Sequence, residues 1–161
     1  MRICHLVRSF AVLFFAIHCA AAQSYTGPMP PAPDIPYLKH AQNLIPTEVL
    51  EAKEEKGKKD EITYVVAGAA STARTPLASP ILILETGKLV AAQLQLYKLE
   101  VRNGRRELTV SPKKPAKPFR VELTRLNSGK LYRLEVDDSL EPGEYAFSVE
   151  GANQVFCFQV F

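Results

Sequence analysis

The chain has no tryptophan, only three histidines and only three cysteines, and each scarcity removes a class of chemistry. Cys4, Cys19, His5 and His18 all fall within the first twenty-two residues, which read as a removable export signal. Cys157 and His40 then stand alone. One cysteine permits no disulfide within the chain. One histidine in a proline-rich stretch cannot supply the three or four converging ligands of a zinc site. Without a Gly-x-Ser-x-Gly elbow there is no nucleophilic serine of the hydrolase kind, and such a serine would lack a positioned base. The absence of tryptophan takes away the largest flat surface for stacking on a sugar. Charge of one sign is lacking too. Losing Arg2 and Arg8 leaves eighteen basic against seventeen acidic residues. That balance creates no field able to gather nucleic acid. No cofactor and no metal is expected, and the protein is not expected to be an enzyme.

Long apolar runs are scarce as well. Phe10 to Ile17 is too short to cross a bilayer core of about 30 Å as a permanent helix. With Arg2 and Arg8 before it and Ala20-Ala21-Ala22 after it, this run has the build of a secretory signal cleaved near Ala22. Cys19 is not expected to carry lipid, because His18 occupies the position where a small residue should precede an acylated cysteine. The mature chain is therefore expected outside the cytoplasm, in the periplasm, at the cell surface or beyond.

Six of the twelve prolines lie between residues 23 and 46. Proline lacks an amide hydrogen and has a fixed φ, so this stretch reads as an extended leader that joins no sheet interior. Residues 47–161 are left as one domain. Thr47 to Lys56 has a helical alternative, capped by Thr47 and stopped by Gly57. The β-rich Glu61 to Ala67 favours a hairpin between the two segments instead.

From Pro80 onward the pattern is strand after strand. Gln93 to Arg102 and Arg106 to Ser111 flank Asn103-Gly104, the pair best suited to the positive φ angles of a type I′ hairpin turn. Phe119, Val121 and Leu123 alternate with polar residues. So do Tyr132, Leu134 and Val136, then Tyr145, Phe147 and Val149. In Gln93 to Arg102 the apolar phase slips between Leu96 and Tyr97, which suggests a bulge or a change of partner. Leu140-Glu141-Pro142-Gly143-Glu144-Tyr145 places a turn containing Gly143 directly before a strand headed by Tyr145, the setting of a tyrosine corner. The expected fold is an all-β, immunoglobulin-like antiparallel sandwich of about seven to nine strands.

The segments Leu96-Tyr97-Lys98-Leu99-Glu100-Val101, Gly104-Arg105-Arg106-Glu107-Leu108, Leu140-x-Pro142-Gly143-Glu144-Tyr145-Ala146 and Asn153-x-Val155-Phe156-Cys157-Phe158 together resemble a recurrent β-rich module of exported bacterial proteins. The resemblance covers roughly residues 80–161. It implies a secreted sandwich and carries over no activity.

Remaining candidates are surfaces. Arg102, Arg105, Arg106, Lys113, Lys114, Lys117 and Arg120 cluster around the Asn-Gly hairpin and the proline-broken loop behind it. Such a run could touch anionic lipid or acidic glycan, or simply keep a sheet edge from aggregating. The loop Gly68 to Pro80, with Arg74 as its one charge, is a second candidate. Asp137-Asp138 lacks the spacing of a calcium loop, and Cys157 between Phe156 and Phe158 reads as a small buried hydrophobe. The functional expectation is an exported interaction or structural module of the cell envelope or surface, one specific version of which pairs the leader, residues 23–46, or an exposed edge with a neighbouring subunit by strand addition. The alternative is a glycan or anionic-lipid binder acting through Arg102 to Arg120.

Overall fold

In the computed structural model, residues 24–57, 60–127 and 129–161 are described; the expected export signal of residues 1–22 lies outside them. The described residues form thirteen strands and one short 3₁₀ turn, with no helix long and apolar enough to cross a membrane. The fold is all-β and its two sheets pack face to face.

The first sheet has five antiparallel strands. They run in the order β10 (Val121–Leu126), β11 (Leu131–Val136), β7 (Ile81–Glu85), β1 (Tyr37–His40) and β2 (Asn43–Pro46). The second sheet follows the order β3 (Glu48–Glu51), β13 (Gln154–Val160), β12 (Gly143–Val149), β8 (Leu94–Arg102), β9 (Arg105–Val110), β5 (Ile62–Val66) and β4 (Lys53–Lys56). The two-residue β6 (Arg74–Thr75) lies parallel to β13 where β3 leaves off. The strand count exceeds seven to nine because chain expected to lie outside the sheets is recruited into them. It also rises because the segment from Glu48 to Lys56 serves as two strands.

Between the sheets lies the main core. Leu38, Leu82, Leu84 and Leu134 from the first sheet meet Leu96, Tyr145, Phe147, Phe156 and Phe158 from the second. The Tyr145 ring stacks on Phe158 at 5.7 Å and takes the edge of Phe119 at 5.7 Å. Its hydroxyl donates to the Glu141 carbonyl at 2.8 Å. A buried ring with its polar tip satisfied locks the turn to the strand that follows it. At the Asn103-Gly104 turn, φ is 49° and 74°, the doubly left-handed backbone of a type I′ hairpin, and Arg102 faces Arg105 across it. Lys53 to Lys56 pairs with Ile62 to Val65 in the expected hairpin.

The leader needs correction. The described part of it, residues 24–46, is not a spacer outside the fold, because β1 sits between β7 and β2 and Leu38 is completely buried. Proline excludes only the residues it occupies. Tyr37 to Ile45 contains none, and Pro46 ends β2 at the sheet edge, where a missing N–H does no harm. The prolines upstream are clamped as well. The Asp34 carboxylate accepts backbone N–H bonds from Gly87, Lys88 and Leu89 at 2.7 to 3.0 Å. Thr47 donates from its amide and its hydroxyl to the Pro36 carbonyl.

Candidate functional site

The second sheet has a property that a flat sandwich layer lacks: β3 and β4, the strands at its two ends, are separated in sequence by Ala52 alone. One continuous segment pairs with β13 through Glu48 to Glu51 and with β5 through Lys53 to Lys56. The Ala52 amide donates to the Asn153 carbonyl at 2.8 Å, carrying the first pairing to the bend. The sheet is thereby rolled until its edges meet. Side chains alternate across each strand, so the register defines one concave face. It carries Leu50, Val155, Ala146, Leu99, Leu108 and Val66, which with Cys157 form a second apolar cluster apart from the core between the sheets.

The roll is tight at one end and open at the other. β8 and β9 pair only from Glu100 to Arg102 against Arg105 to Glu107, and then separate. Residues 111–118 cross the space between them. Pro112, Pro115 and Pro118 deprive that loop of donors, so it cannot zip onto β8. A mutual backbone pair between Ser111 and Lys114 holds its turn. Its far end returns to the sheet where the Phe119 amide donates to the Leu96 carbonyl at 2.8 Å. Inside the opening is a cavity of about 600 Å³, walled by Ile62, Tyr64, Val66, Tyr97, Leu99, Leu108 and Val110 and rimmed by Asp60, Glu150 and the 111–118 loop. That volume lies within the roughly 300 to 1,000 Å³ of small-molecule pockets, and the mouth of a closed sheet is one of their usual positions. Ser148 and Gln95 add polar groups to the wall.

At the closed end is a buried ionic cluster. Arg106 is 1% exposed. It donates from Nε to the Gly68 carbonyl at 3.0 Å and from Nη2 to the Ala67 carbonyl at 2.6 Å. Its Nη1 reaches Glu48 at 2.9 Å and the Ser71 hydroxyl at 2.5 Å. Ser71 passes the bond on, its hydroxyl and amide both donating to Glu144 Oε2 at 2.6 and 3.0 Å. Glu144 Oε1 is sealed from solvent and has no partner among the described residues. Neither Arg106 nor Glu144 lines the cavity. The guanidinium is spent on holding the irregular Gly68 to Ser71 segment to the sheet. Beside this cluster the Cys157 thiol is fully buried, and burial pushes its pKa up to about 12. A thiol held protonated at neutral pH is a packing group, not a nucleophile.

The basic run does not form one patch. Arg102 pairs with Glu100 and Arg120 with Asp137. Arg105 pairs with Glu55 and Glu107. Arg106 is withdrawn from the surface altogether, a correction that follows from its place on the concave face with Leu108 and Val110. Lys113, Lys114 and Lys117 are exposed, and no described carboxylate lies within ion-pair distance of them. Arg74 is in β6, bonded through Nε to Gln159 at 2.7 Å with its guanidinium 4.5 Å from the centre of the Phe161 ring. It staples the segment around β6 to β13.

Sequence reasoning missed the lumen, although its signal is there. The apparent phase slip in β8 is a strand buried on both sides. Leu94 and Leu96 face the core between the sheets while Tyr97 and Leu99 face the lumen, with no bulge in the β8–β12 register. The runs Tyr145-Ala146-Phe147 and Val155 to Phe158 have the same cause. No family model, no curated protein and no solved structure matches this chain.

Proposed function

We propose that the protein is an exported, non-enzymatic binding module that holds a small apolar molecule in the lumen of its rolled sheet. One observation carries this: five strands and the Ala52 bend line a single cavity of about 600 Å³ with mainly apolar side chains. A ligand hiding roughly 300 Å² of apolar surface gains about 7 kcal/mol. That exceeds the lower estimates of the cost of association, about 4 kcal/mol. Export is supported by the composition of residues 1–22 and by the resemblance of residues 80–161 to a secreted module. Strand addition through residues 23–46 has less support, because Tyr37 to Pro46 is already paired within its own sheet.

The test is fluorescence titration of the chain from residue 23 with N-phenyl-1-naphthylamine, an uncharged apolar dye. Saturable, blue-shifted emission is expected. Ser148→Phe, which places a ring in the lumen from the central strand β12, should abolish it. Emission unchanged by a folded Ser148→Phe variant, or no binding at all, overturns the reading.

A further inference from the structure

We infer that the molecule held in the lumen is an apolar cation, an amine or quaternary ammonium on a hydrocarbon or aromatic body, lying with its charged end at the mouth. This rests on the lumen being the binding site. The titratable groups lining the cavity are Asp60, Tyr64, Tyr97 and Glu150, and no lysine, arginine or histidine of the described residues joins them. Tyr97, Glu150 and Tyr64 lie close enough to matter to one another. Burial raises the Tyr97 pKa, and the nearby Glu150 and Tyr64 raise it further. Tyr97 also donates to Gln95 Oε1 at 2.6 Å, which fixes its ring on the wall. Two phenol rings with carboxylates beside them suit a positive charge, since a cation is attracted to both an aromatic face and an anion.

An anionic end at the same place would face Asp60 and Glu150 with no counter-charge on the wall. The neighbouring arginines are committed, Arg102 to Glu100 and Arg105 to Glu55 and Glu107. Among the described residues, the competing positive charges are Lys113, Lys114 and Lys117. They sit on the crossing loop, which presents Ser111, Pro112, Pro115 and Ala116 to the cavity and not the lysines. On β4, Glu54 and Lys56 stand exposed opposite Tyr64 and Ile62 and offset each other.

Decylamine, decanol and decanoate share one tail and differ only in the end group. Each is titrated below its aggregation concentration at pH 7.5 as a competitor of the naphthylamine dye, on the chain from residue 23. The amine should bind tightest and the carboxylate weakest, with the amine ahead of the alcohol by about threefold to tenfold. That lead should shrink in Asp60→Asn/Glu150→Gln and in 0.5 M salt. Decanoate binding as tightly as the amine overturns the inference while leaving the lumen reading intact. Loss of that decanoate binding in Lys113→Gln/Lys114→Gln/Lys117→Gln would move the head-group site to the loop. If the dye binds but none of the three tails displaces it, this inference fails while the lumen reading stands or falls on the Ser148→Phe result; if the dye does not bind, both fail.

Discussion

Arg106 Nη1 and Glu144 Oε2 lie 3.6 Å apart at the closed end of the rolled sheet, their side chains 1% and 2% exposed, with the Ser71 hydroxyl bridging them. Arg106 also neutralises Glu48 and caps two carbonyls, so it is the hub on which the other groups depend.

Arg106→Met should therefore be strongly destabilising, because it strands Glu144 in a dry site and leaves the partly buried Glu48 without its cation. A loss of about 3 to 5 kcal/mol is expected. Adding Glu144→Gln should restore part of it. Urea denaturation of the single and double variants measures both. Equal stability of Arg106→Met and the parent would show the cluster to be energetically idle.

Tyr145 separates ring from hydroxyl. Tyr145→Phe keeps the stacking on Phe158 and removes the bond to Glu141, for an expected cost of about 1 kcal/mol. Tyr145→Ala should cost about 3 to 5 kcal/mol. Thermal unfolding that fails to distinguish the two would contradict the corner geometry.

Asp34 makes the leader pH-sensitive. Burial pushes its pKa up, but the amides of Lys88, Leu89 and Gly87 outweigh this and hold it below the ordinary carboxylate value. A lowered folded pKa stabilises the protein above the ordinary value and is lost as pH falls through the folded one. The stability gap between the parent and Asp34→Asn should thus be present at neutral pH and close in acid. Limited proteolysis at neutral pH should cut the variant earlier, within residues 24–36.

Cys157 behaves with the opposite sign. Its raised pKa favours the protonated folded state, so stability is intact below about pH 9, the ordinary thiol value here, and declines as pH climbs toward about 12. Cys157→Ala should flatten that alkaline decline while lowering stability at pH 7 through the small void it leaves. Iodoacetamide at pH 8 should label the thiol only in denaturant, as mass spectrometry would show.

What could be read from the residues, and what could not, divides on one physical point. Alternation reports which side chains share a face but assumes that only one face is buried. It therefore finds Leu134 and Val136 in β11, which pack against the core between the sheets, and it finds the Asn103-Gly104 hairpin, whose turn chemistry is local. It misreads the phase of β8 and, although it places Tyr145, Phe147 and Cys157 inside, misses that β8, β12 and β13 each separate a core from a lumen. It also misplaces Arg106, whose charge suggested solvent although Leu108 and Val110 on the same face of β9 pointed inward. Tyr37 to Pro46 was hidden by composition, since the prolines crowding its flank masked a stretch whose interior has every amide it needs. Only the pairing of Glu48 to Glu51 with Gln154 to Cys157 closes the roll, and no local pattern encodes a pairing that remote.

The bend at Ala52 has a consequence for timing. Glu48 to Glu51 finds its partner about a hundred residues downstream, at Gln154 to Cys157. Long-range pairing of this sort is slow to form. A polypeptide emerging gradually from a ribosome cannot seal the cylinder until β13 has emerged, so its interior takes shape only once nearly the whole chain is made.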